Sequence, residues 1–316
     1  MRAIDLHCDT IEKLWETKSR DTLLTAPYSV NYDKLKKGGV LAQCFALFSP
    51  LNDYQVDNLT PWETVNSIHD RFLAEMKVTK GKLEQAYCVE DILANDKKGI
   101  ISALLTIEDS GVVEGDIKKL EQYSSWGVKI ASLTWNWENE LAYPQSEDKN
   151  IMRKGLKKFG FEAVEYMNSA NIIVDVSHLS DGGFYDVIGQ KCKVVATHSN
   201  CRALTNEGRN LTDEMIKAIS NKGGVIGLNF CPAFLTEDKS KESRVADMLN
   251  HIRHLYNKGG ENVLALGSDF DGITGKLELD GSDKLPLLEE ALLKDGFKPT
   301  VVEKMWNKNI LTLLSN

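Results

Sequence analysis

Apolar residues in this chain gather in short runs of strand length, separated by amphipathic stretches. Eight runs stand out: 3–7 (AIDLH), 40–48 (VLAQCFALF), 101–108 (ISALLTIE), 128–135 (VKIASLTW), 172–178 (IIVDVSH), 194–198 (VVATH), 224–230 (GVIGLNF) and 263–270 (VLALGSDF). Many are rich in Val, Ile and Leu, as parallel strands covered on both faces should be. Helix signals lie between them. Thr60, Pro61 and Glu63 predict a capping box with proline in the first helical position. Thr212 starts a helix that Gly223 stops, a third helix stops at Gly259, and Thr300 with Glu303 predicts a further capping box.

Eight strands alternating with helices point to an α/β fold, a (β/α)8 TIM barrel forming one domain over residues 1–316. An open doubly wound sheet is the competing architecture. It usually shows a glycine-rich phosphate turn after its first strand, and DLHCDTIEKL has no glycine. Stretches 17–33, 136–152 and 271–285 read as loops or short additions.

In such a barrel, chemistry sits at the C-terminal ends of the strands. The first run ends in His7 and Asp9, the third in Glu108, the fifth in His178, the sixth in His198 and the eighth in Asp269. Charged residues are rarely buried unless paired or bound to a metal. Three of the six histidines fall on one predicted rim; His69, His251 and His254 lie within helices. The last two are spaced i, i+3, but no strand end accompanies them.

Imidazole and carboxylate donors without thiolate suit catalytic Zn2+. Cys8 points away from His7 on a regular strand. Five donors exceed what one open tetrahedral zinc needs, so two ions about 3.5–4 Å apart are expected. Glu108 would bridge them, with His7 and Asp9 on one ion and His178 and His198 on the other. Asp269 is the expected proton carrier, and Asp271, on the same strand face, is its rival. Arg209, in the loop after the sixth run, can grip a substrate carboxylate through two parallel hydrogen bonds. A surface pairing with Asp213 or Glu214 is the plainer alternative.

A formal net charge of −8 argues against a nucleic-acid partner, which would call for a basic stripe. No run reaches the roughly 20 apolar residues of a membrane span, and no leader precedes the first strand, so no membrane partner is expected. The six cysteines form no CxxC pair, which predicts reduced thiols and a cytoplasmic protein.

The pieces IDLHCDT, LTIEDS, ASLTWNWENELA, VDVSHLS, VVATHSNCRAL, GRNLTDE, GGVIGLNF and LGSDFDGI run in order through most of the chain. Together they resemble the membrane (renal) dipeptidase family, zinc dipeptidases of the amidohydrolase-like barrels (peptidase family M19), in a soluble bacterial-type branch. An H-x-D alone is weak; DVSH and ATHSN with histidines 20 positions apart, then GRN and GSDFDG, are specific. The resemblance implies two zinc ions on the same five residues, Arg209 on the substrate carboxylate, and Asp269 as proton-handling acid. It implies hydrolysis of dipeptides by a hydroxide bridging the ions, and the family often forms homodimers. Relatives carry a histidine after the fourth-strand LT, where it helps hold the transition-state oxygen; here Trp135 stands there. Either a neighbour such as Asn136 or the zinc would then supply that contact, or turnover would be slower. The alternative is another amidohydrolase-type reaction, on N-acyl amino acids, lactones or cyclic amides.

Overall fold

Eight parallel strands hydrogen-bond side by side into a closed ring. In chain order the strands are β1 (Ala3–Asp5), β2 (Val40–Phe48), β3 (Leu83–Gln85), β4 (Ile101–Glu108), β5 (Ile130–Ser132) and β6 (Ile173–Asp175). They continue with β7 (Val194–Ala196), β8 (Val225–Leu228), β9 (Glu242–Ser243), β10 (Leu264–Leu266) and β11 (Lys276–Leu277). The computed structural model describes residues 1–51, 58–238 and 240–315. The ring runs β1–β2–β4–β5–β6–β7–β8–β10 and closes where Asp5 pairs with Leu266. All eight expected strands are present, and the architecture is the expected (β/α)8 barrel.

Three short strands escape the hydrophobic pattern. β3 pairs with residues 101–103 of β4, below the point where β5 begins at Thr106. β9 and β11 pair with each other outside the ring. All three are two or three residues long, too short to show a period.

Strand alternation builds two cores. Ile4, Ala42, Leu104, Ile130, Ile173, Val195, Val225 and Ala265 belong to one cluster, one residue from each ring strand. Such a set can meet only inside the ring, and Ile310 and Leu313 of the C-terminal helix Asn309–Ser315 join it. Neighbours such as Leu105, Ala131, Val174 and Ile226 belong to the second, larger cluster under the helices. Gly227 and Gly267 are required by close approach. A Cβ at either would sit 2.0 or 1.8 Å from the Thr197 carbonyl oxygen, so only glycine lets these chains come together beside His198.

Helix signals were mostly realised. Helix Pro61–Val78 has the full Thr60–Glu63 capping box, and the Thr212 hydroxyl caps Asp213–Asn221. Helix Val245–Gly259 runs through the expected stop and ends at Gly260, with φ 81°. The Thr300 capping box does not form. The helix starts two residues earlier at Pro299, whose ring favours the first helical position, and Lys298 becomes the N-cap in place of Thr300. Among the described residues no helix is long and apolar enough to cross a membrane.

Candidate metal centre

Regular β1 stops at Asp5, so alternation cannot alone carry His7 and Asp9 to one face. Pairing continues through Leu6 N–H to the Leu266 carbonyl and a bridge between Cys8 and Phe270. Asp5 itself does not line the cavity: its carboxylate accepts from the Ser268 amide and hydroxyl and from Gln43 Nε2, at 2.8, 2.6 and 3.0 Å. Asp9 precedes helix Thr10–Glu16 but makes no side-chain cap, which leaves its carboxylate for the cavity. Cys8 turns away, donating to the Cys44 carbonyl.

The five expected ligands converge. His178 Nε2 lies 3.0 Å and His198 Nε2 3.6 Å from Glu108 Oε1. The other Glu108 oxygen is 3.7 Å from His7 Nε2, which lies 3.4 Å from Asp9 Oδ1 and 3.9 Å from Asp269 Oδ1. His7, Asp9, Glu108, His178 and His198 are all buried.

Neighbouring groups fix which nitrogens can bind. The Thr197 hydroxyl donates to Asp175 Oδ2 at 2.6 Å, so it must accept from His198 Nδ1 at 2.7 Å. Asn136 Oδ1 accepts from His178 Nδ1 at 3.1 Å. Each ring therefore turns a lone pair inward at Nε2, and the two nitrogens stand 2.9 Å apart beside a carboxylate oxygen. Acceptors face acceptors, which only a cation or a trapped proton reconciles. Burial, then the positive charge of Arg209 and His7, holds both histidines well below their usual range, in the neutral metal-binding form. His7 Nε2 and Asp9 Oδ1 are buried with no hydrogen-bond partner among the described residues. This donor set fits a pair of divalent ions.

The remaining site residues surround this cluster in a cavity of about 600 Å3. Asp269 presents Oδ1 to His7 while Oδ2 accepts from Asn229 Nδ2 at 2.9 Å. Burial pushes its carboxyl up to about 7, with the Asp9 charge adding to the rise. Asp271 is fully engaged elsewhere: its oxygens accept from Thr10 Oγ1, Ser29 N and Val30 N, and Lys13 lies 3.7 Å away. Arg209 is only 5 % exposed, hydrogen-bonded to the His198 carbonyl and stacked on Phe234, with Nε unpartnered among the described residues. Asp213 pairs instead with His254 and Lys258. Trp135 is half-buried in the cavity wall, its ring 4.9 Å from Phe48 and 4.5 Å from Trp137.

Asp175, Thr197 and Asn229 were missed by sequence reasoning. Each is a polar residue within an apolar run, and that incongruity was the available signal. His178 and Asp269 adopt left-handed backbone, φ 67° and 63°, at a cost of about 1–3 kcal/mol each.

His251 and His254 do not form a second cluster. His251 accepts from the Cys201 amide and donates to the Leu235 carbonyl, whereas His254 faces Asp213. Burial lowers His251 to about 4. Its folded value lies below the unfolded value, so its contribution is present above about pH 6.5 and is lost as pH falls toward 4. Denaturant titrations should show that loss, roughly 2–3 kcal/mol, and His251→Gln should flatten the slope in this window. An unchanged slope in the variant would assign the acid sensitivity to other groups.

A family model described as membrane dipeptidase (peptidase family M19) matches residues 1–316. An uncharacterized protein in the pqqA 5′ region of Klebsiella pneumoniae is 34 % identical over 245 residues, covering 75 % of this chain and 89 % of that one. An uncharacterized dipeptidase of Schizosaccharomyces pombe is 29 % identical over 305 residues, 89 % of this chain and 72 % of its own. The crystal structure of a metallopeptidase from Rhodobacter sphaeroides, bound to a phosphinate mimic of L-Ala-D-Ala, superposes with a TM-score of 0.89 at 23 % identity. That match covers 99 % of this chain and 98 % of the other. With its barrel, its converging candidate donors and a match from end to end, the chain belongs to the membrane dipeptidase family, peptidase family M19.

Proposed function

We propose that this metal-dependent dipeptidase holds two zinc ions, His7 and Asp9 on one, His178 and His198 on the other, and Glu108 between them. One observation supports the reading: the inward lone pairs of His178 and His198 meet the Glu108 and Asp9 carboxylates around one buried space, in which His7 Nε2 and Asp9 Oδ1 have no hydrogen-bond partner among the described residues. When bound, such ions lower the pKa of a water toward about 7 and polarise a carbonyl.

The chain's own residues do the rest. Arg209, buried and aimed into the cavity, receives the free carboxylate of a dipeptide, and this favours short substrates. Asp269 takes the proton released by the attacking water and hands it to the departing nitrogen. Asn229 keeps one oxygen of that carboxylate occupied, so the other faces the reaction. Asn136 has its carbonyl engaged by His178, so what it offers a substrate is its amide N–H. Trp135 supplies an aromatic wall and one N–H donor, which can polarise an oxygen but not transfer a proton.

A panel of L,L- and L,D-dipeptides, L-Ala-D-Ala among them, tests the proposal. Zinc-loaded protein is expected to cleave members of the panel, to lose the activity with chelator and to regain it with zinc. Protein carrying two zinc ions per chain that cleaves none of them would overturn the reading.

A further inference from the structure

Helix Thr10–Glu16 follows directly on Asp9, and it turns Glu12 into the same cavity as the metal cluster and Arg209. Glu12 is partly buried and, among the described residues, has no hydrogen-bond or ion-pair partner. Its carboxyl is crowded by Asp9, Glu108 and Glu16, and burial together with these charges holds it well above the usual carboxylate range. The nearest lysine does not answer it: Lys13 is directed to Asp271 and lies over the Tyr28 ring. Nor does Glu12 belong to either of the compact donor groups, His7–Glu108–His198 and His7–Asp9–Asp269. It is an acidic group facing the cavity, outside the proposed ligand set and without an ion pair among the described residues.

The cavity wall thus carries two polar groups of opposite sign, Arg209 and Glu12. Among the described residues, buried Arg209 keeps Nε unsatisfied and Glu12 forms no ion pair, the positive group it feels being His7 of the donor cluster. A dipeptide carries a carboxylate and an ammonium on one short scaffold, and the proposed function uses only the carboxylate.

We propose that Glu12 binds the α-ammonium of the substrate's N-terminal residue, so that the enzyme selects peptides with both termini free over N-acyl amino acids. The inference rests on the dipeptidase reading. A charge-assisted hydrogen bond of this kind is worth about 10- to 100-fold in affinity or rate.

The test compares Ala-Ala with propionyl-alanine, the same molecule lacking only the ammonium, on zinc-loaded enzyme. Glu12→Gln is nearly isosteric, and its zinc content is measured alongside. Its loss in kcat/KM on Ala-Ala is expected to exceed its loss on propionyl-alanine by about 10- to 100-fold. Glu12→Asp, which keeps the charge, is expected to recover part of the preference. Where propionyl-alanine turns over too slowly, its inhibition constant takes the place of kcat/KM. Equal effects on both compounds, or zinc lost from Glu12→Gln, would overturn the assignment while leaving dipeptidase activity standing. A zinc-loaded wild type that cleaves no dipeptide would remove both readings together.

Discussion

Asp269→Asn is expected to lower kcat on dipeptides by about 10²–10⁴-fold, the range for removing a positioned general acid–base. The substitution is chosen for what it preserves. Asn229 Nδ2 donates to Asp269 Oδ2, and an asparagine carbonyl can accept that bond in the same place. The side chain keeps its shape but loses its charge and its capacity to hold a proton, and turns an NH2 toward His7. KM should therefore change far less than kcat, because Arg209 and the cavity walls are untouched. Zinc content separates two roles. Asp269 Oδ1 lies 3.9 Å from His7 Nε2, close enough to the His7–Asp9 group for Asp269 to be read as a ligand. Two zinc ions retained with turnover lost supports proton transfer; a lost ion would make Asp269 a ligand, and full turnover would reject both roles. Asp271 serves as the control, since its oxygens are committed to Thr10, Ser29 and Val30.

The rim was legible in the sequence because strand runs are bounded by hydrophobicity, and the residue ending each run is forced to the barrel mouth. Glu108 illustrates this: it is the last residue of its strand and is itself buried, while His198 lies buried two residues past the end of Val194–Ala196. His178 and Asp269 reach the cavity by a route that the strand pattern does not give. Both sit past the regular strand in left-handed backbone, which no alternation rule describes. The supporting layer was not legible. Asp5, Asp175, Thr197 and Asn229 act through hydrogen bonds between strands far apart in sequence, as with Asp5 and Ser268. A single chain carries no signal for such partners beyond a polar residue in an apolar run. Glu12 was hidden differently: acidic residues in a first helical turn are ordinary favourable partners of the helix dipole. Only its enclosure beside Asp9 and Glu108 sets it apart.

Glu108→Gln should be the most damaging single change at the metal centre. One Glu108 oxygen lies 3.0 Å from His178 Nε2 and the other 3.7 Å from His7 Nε2, so a single carboxylate spans both halves of the donor set. An amide offers one acceptor oxygen and turns an NH2 toward the other half, where donors to a cation are needed. The variant is expected to hold at most one zinc tightly, with at least about 100-fold weaker affinity for the other and loss of nearly all turnover. Thermal melts give an independent readout. Burial, reinforced by Asp9 and Asp269, pushes the Glu108 carboxyl well up, so without metal its charge destabilises the fold as pH rises through that raised value. The neutral amide removes this penalty. Metal-free Glu108→Gln should therefore melt no lower than metal-free wild type near pH 7, while its gain in Tm on adding zinc should be markedly smaller. Two tightly held zinc ions and a wild-type zinc-induced Tm shift in the variant would show that Glu108 does not join the two halves of the centre.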